Sequence, residues 1–121
     1  MTLEYVYNIN AKGKYFLERI KPYPLPIKAY DNEDDVIDII EIDVEQFRNA
    51  ANSSHVSEFI TISNKLHGTI KKFEDLFLYY NVPAEQISLL LKEVDEMNYT
   101  IMETKANSKR VYTKKEPETL K

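Results

Sequence analysis

Eight carboxylates stand between Asp31 and Glu45 with no basic residue among them: Asp31, Glu33, Asp34, Asp35, Asp38, Glu41, Asp43 and Glu45. Carboxylates at this density suggest cation binding or general acid–base work. A calcium loop requires a glycine at its sixth position and a bidentate glutamate at its twelfth. Counted from Asp31, those positions hold Val36 and Ile42, so the EF-hand reading fails. Asp34, Asp35 and Asp38 could form a magnesium site, but no positioned base or phosphate clamp accompanies them. A solvated acidic loop needs fewer assumptions. In a functional reading, Asp31, Glu33, Asp34 and Asp35 form an acidic docking surface for a basic protein partner.

The other reactive types are sparse. His55 and His67 are the only histidines, and no HExxH-like spacing links them. There is no cysteine, which excludes thiolate nucleophiles, thiolate metal sites and disulfides. The two glycines, Gly13 and Gly68, are too far apart for a phosphate cradle or a GxSxG elbow. The serines fall at caps and turns, where they serve local hydrogen bonding. These absences point to a non-enzymatic protein with no cofactor, no metal and no cradle for a small-molecule ligand.

Charge is segregated along the chain. The net charge is −4, yet residues 1–30 and 105–121 are basic, while 31–47 and 81–104 are acidic. Such alternation produces local fields of both signs. Tyr5, Tyr7, Tyr15, Tyr23 and Tyr30 are interleaved with Lys12, Lys14, Arg19, Lys21 and Lys28. That mixture can stack and neutralise a single-stranded nucleic acid, or simply form one face of a hairpin with lysines beside it. The start, MTLEYVYNIN, lacks a basic segment and a long apolar run, and no stretch nears the ~18 apolar residues of a membrane span. The expectation is a cytoplasmic protein with no membrane partner. The richness in Ile, Asn and Lys fits a low-GC genome such as that of a phage or other mobile element.

The elements that must position these groups follow from periodicity. LEYVYNI (3–9) and YFLERIK (15–21) alternate around NAKGK, where Gly13 suits a hairpin turn. PYPLP (22–26) reads as extended chain. DNEDD reads as a loop, and VIDIIEI (36–42) as a buried strand. Asp43 resembles an N-cap, with Gln46 completing a capping box for a short helix over 44–51. A short strand is expected over 58–62. Leu66, Ile70, Phe73, Phe77 and Tyr80 predict a helix over 64–80. Pro83 then opens a helix over 83–97 with an apolar stripe of Ile87, Leu90, Leu91, Val94 and Met97. YTIMET and KRVYTKK flank KANS as a C-terminal hairpin.

From FEDLFLYYNVP through AEQISLLLKEVDEMNYTI to METKANSKRVYTKKE, residues 73–115 resemble the winged helix-turn-helix superfamily. The resemblance implies a recognition helix at 83–97 and a wing carrying Lys105, Lys109, Arg110, Lys114 and Lys115. In a nucleic-acid regulator of that type, Gln86 and Lys92 would be the base-reading residues on the helix. The same face carries Glu85, Glu93 and Glu96, which repel phosphate. Winged domains also bind proteins, and Glu93 and Glu96 would then join the acidic candidates on the protein-binding side.

The expected architecture is α+β in a single domain over 1–116. It has a β-rich half (1–62), a helix-turn-helix with hairpin (63–116) and a flexible tail (117–121). The expected core draws on Val6, Phe16, Ile20, Ile40, Ile42, Phe47, Leu66, Ile70, Phe73, Phe77, Ile87, Leu90, Leu91 and Val94. The leading functional expectation is a small protein-interaction module, an adaptor or inhibitor. The alternative is nucleic-acid binding. Composition leaves the oligomeric state open.

Overall fold

The hairpin around Gly13 forms as the alternation predicts. In the computed structural model, which describes residues 1–120, strand β1 (Glu4–Ile9) pairs antiparallel with β2 (Tyr15–Lys21). Gly13 takes φ +77°, a left-handed conformation that an L side chain would strain. Asn10 closes the turn: its side-chain oxygen accepts from the backbone N–H of Lys12 at 2.9 Å and of Lys14 at 3.0 Å. A third strand, β3 (Leu25–Tyr30), follows and gives the order β1-β2-β3. The extended segment PYPLP runs into this strand. Pro24 precedes β3 and Pro26 lies within it, and an edge strand tolerates the missing donors. The bond between Lys21 and Pro22 is cis.

The expected strand over 36–42 is instead part of a long helix, α1 (Glu33–Ala51). Its start lies in the supposed acidic loop. Asn32 is the N-cap, and its side chain accepts from the Asp35 N–H at 2.9 Å. Glu33, Asp34 and Asp35 occupy the first turn, where negative charge suits the helix dipole. The β-branched run misleads because its true period is helical. Val36, Ile39, Ile40, Asp43 and Phe47 recur at steps of three and four and form the inward stripe. Asp43 is a member of that stripe and not a cap.

The expected strand over 58–62 is likewise helical. Helix α2 runs Val56–Tyr79, and the Thr61 hydroxyl donates to the Ser57 carbonyl at 2.9 Å. Helix α3 runs Ala84–Ala106 with Pro83 as its N-cap. It passes Asn98 without stopping, so the expected C-terminal hairpin does not form. Thr100 and Thr104 donate back to the carbonyls of Glu96 and Thr100 at 3.0 and 2.7 Å, which accommodates strand-prone side chains in a helix. KANS has no glycine to supply a positive-φ turn; Asn107 instead caps the helix, its amide donating to the Glu103 carbonyl at 3.0 Å. Residues 107–120 form neither helix nor strand. The protein is α+β, with a three-stranded antiparallel sheet and three helices. None of these helices is long and apolar enough to cross a membrane.

The chain divides into two compact units, Met1–Thr69 and a second beginning at Ile70. The core of the first lies between the sheet and α1. Leu17, Val36 and Phe47 are its buried apolar residues, and Arg19 and Asp43 are buried with them. Of the predicted core residues only Phe47 is buried; Ile20, Ile40, Ile42 and Leu66 are half-buried. Val6 and Phe16 lie on the opposite face of the sheet, Phe16 at 39% exposure against 0% for Leu17. The phase of β2 is thus opposite to the expected one, and a one-residue shift exchanges the two faces of a strand.

Candidate functional site

Two features of the side chains carry chemistry. The first lies in the core of the first unit. Arg19, on β2, meets Asp43, on α1, through two hydrogen bonds: Nε to Oδ2 and Nη2 to Oδ1, each 2.9 Å. The Tyr5 hydroxyl donates to the same Oδ2 at 2.5 Å. Both charged residues are under a tenth exposed. The remaining nitrogen, Nη1, is buried without an acceptor. The guanidinium lies over the Phe47 ring at 4.5 Å and the Tyr23 ring at 5.2 Å, whose π-faces offer it negative potential. Phe59 and His67 of α2 complete this aromatic group, each 5.8 Å from the Tyr23 ring.

The electrostatics follow from the contacts. Burial, then the Asp43 carboxylate, push the Tyr5 phenol well above its ordinary value. Burial alone would lower Arg19, but the hydrogen bond and charge of Asp43 leave it raised overall. This arrangement fixes the sheet to α1. Its carboxylate accepts three donors, two on Oδ2 and one on Oδ1. Tyr5 and Tyr23 are thus drawn inward, away from any stacking platform. Tyr7 packs on Tyr15 at 5.9 Å, and Lys28 covers the Tyr30 ring at 5.6 Å.

The second feature is the apolar surface of the second unit. No residue of α3 is buried. Its stripe of Ile87, Leu90, Leu91, Val94 and Met97 is between 36 and 62% exposed, and Ile101 extends it. The last turns of α2 are similar, with Ile70, Phe73, Leu76 and Phe77 between 39 and 65% exposed. Those turns and α3 do not pack along one another as a helical hairpin. The side chains predicted to fill a core here are therefore a surface.

The predicted acidic residues fall on two elements. Asp31, Glu33, Asp34 and Asp35 gather at the N-terminus of α1. There Asp31 pairs with Lys14, which holds its carboxyl below the usual range, and Glu33 accepts from the Tyr7 hydroxyl at 3.4 Å. Glu93 and Glu96 lie on α3, where Glu96 approaches Lys92 at 3.8 Å. Among the described residues, no group of three or more His, Asp or Glu side chains could hold a metal ion.

The predicted cations are scattered and partly engaged. Gln86 is in the first turn of α3, and Lys105 in its last turn donates to the Leu120 carbonyl. Arg110 donates to the carbonyls of Tyr112 and Lys115 and pairs with Glu116 at 3.0 Å. Lys109, Lys114 and Lys115 lie in the irregular segment beyond α3, not on a wing. Sequence reasoning missed the Arg19–Asp43 pair altogether. The signal was there: a lone arginine on the alternating face of a strand, and an aspartate on the apolar stripe of a helix.

No family model, curated protein or solved structure matches the chain.

Proposed function

We propose that this chain is a non-enzymatic protein-interaction module and that α3 is the element it presents. The observation that supports this most is the half-exposed stripe from Ile87 to Ile101 on a helix with no buried residue. Helices in proteins owe most of their stability to packing of an apolar face. A contiguous apolar face that its own unit leaves open marks a surface for another protein. Glu93 flanks the stripe and would contribute to partner preference, while Lys92 and Glu96 lie on the opposite side of the helix.

The competing reading, a nucleic-acid regulator, has less to draw on. Its wing strand is helical, and Lys92 and Arg110 already face carboxylates. The test is chemical cross-linking and affinity capture with the full chain, comparing wild type with Val94→Asp. A stoichiometric protein, either another copy or a different chain, that is held by wild type and lost in the variant is the expected result. Equal capture by both would overturn the reading. So would a salt-sensitive shift of duplex DNA at about 50 mM salt that Lys109→Ala with Arg110→Ala removes.

A further inference from the structure

The spacing of the α3 stripe says what kind of surface covers it. Ile87, Leu90, Val94, Met97, Ile101 and Thr104 are separated by steps of three and four without interruption. They occupy alternate a and d positions of a heptad, with Ile87, Val94 and Ile101 at a and Leu90, Met97 and Thr104 at d. Among parallel coiled coils, Ile or Val at a with Leu at d favours two strands; all three a positions and Leu90 fit that pattern, Met97 is close to it, and Thr104 ends it. In a parallel pair the β-branched side chain at a fits the hole offered by the facing helix, and Leu90 and Met97 at d pack across the axis.

The flanking residues agree. The g positions are Gln86, Glu93 and Thr100, and the e positions are Leu91, Asn98 and Lys105. In a parallel in-register pair, each g residue faces the e residue of the next heptad on the other copy. The three facing pairs are Gln86 with Leu91, Glu93 with Asn98, and Thr100 with Lys105. No two like charges meet, so the acidic face of α3 does not oppose self-association.

The area is also sufficient. Each half-exposed large side chain offers on the order of 100 Å², so the seam and Leu91 from two copies come to roughly 1,000 Å², the lower bound for a specific interface.

We infer that the occupant of the α3 stripe is the α3 of a second copy of this chain, in a parallel two-stranded coiled coil. The inference rests on the interaction reading above and narrows it to a homodimer. Sedimentation of the full chain should give twice 14.2 kDa at micromolar concentration and 14.2 kDa on dilution. Val94→Asp should weaken the dimer by on the order of a hundredfold or more, because it places two unpaired charges in the seam. The chain has no cysteine, so Leu90→Cys introduces a single thiol and reports orientation independently. In parallel register the two introduced thiols face each other and oxidise to a cross-linked dimer; in an antiparallel pair residue 90 meets residue 101, and no cross-link forms. A monomer at about 100 µM overturns the homodimer, because the seam would then fail at concentrations where pairs of this size persist. If Val94-dependent capture of a different protein survives that result, the interaction reading stands alone. A dimer of the Leu90→Cys variant that does not cross-link on oxidation overturns the parallel arrangement.

Discussion

Arg19 and Asp43 show how a polar pair can hold a small core. Two charges removed from water are costly, and their mutual attraction offsets that cost only when geometry and hydrogen bonding are complete. Here both Asp43 oxygens are bonded, and Tyr5 adds a third donor. Arg19→Ala should therefore destabilise the first unit by about 3–5 kcal/mol, because it strands a buried carboxylate. The double variant Arg19→Met with Asp43→Leu should lose much less than either single change. Urea unfolding of the three variants measures this, and additive losses would show that the pair is not coupled. Tyr5 gives a pH signature. Its phenol ionises at the ordinary value of 10.0 in the unfolded chain and higher in the folded one. The folded state then keeps its proton while the unfolded state loses it, so stability is full below pH 10.0 and falls as pH rises above it. Tyr5→Phe removes this contribution. At neutral pH the variant should be less stable by about 1 kcal/mol, and the gap to wild type should narrow in alkaline melts.

The elements were legible where sequence rules are local. Asn10, Gly13 and the alternating strands around them specify the first hairpin, and it forms. Pro83 marks the start of α3 to within one residue. Legibility failed where β-branched residues take a helical period. VIDIIEI and YTIMET carry strand propensity, but Asn32 caps the first, and in the second the threonine hydroxyls bond to carbonyls one turn earlier inside a continuing helix. Tertiary demand also decided the face of β2, since its alternating pattern admits either phase. The phase fixes a prediction. Leu17→Ala should cost about 2–5 kcal/mol through the cavity it leaves against α1. Phe16→Ala should cost far less, although phenylalanine is larger, because its ring is 39% exposed on the uncovered face. Thermal melts of the two variants rank them, and the reverse order would mean that the sheet presents its other face to the helix.

The two units differ in what they need in order to fold. The first has a core of its own, with Leu17, Val36 and Phe47 closed around the Arg19–Asp43 pair. The second places apolar stripes on helices that contain no buried residue from Ile70 onward. The candidate interaction surface was therefore visible in the sequence as a stripe, but its role was hidden. The same spacing specifies a core helix when a neighbour lies within the chain and a binding surface when it does not. Concentration separates these cases. A unimolecular core is indifferent to dilution, whereas a helix stabilised by a partner loses that stability by mass action. Hydrogen exchange read by mass spectrometry at about 100 µM and about 1 µM should leave the amides of β2 and α1 equally protected. The amides of α3 should lose protection over the same range, most between Ile87 and Ile101. Equal protection of α3 at both concentrations would mean that the second unit supports its own helices, and the exposed stripe would then need no second chain to stay folded.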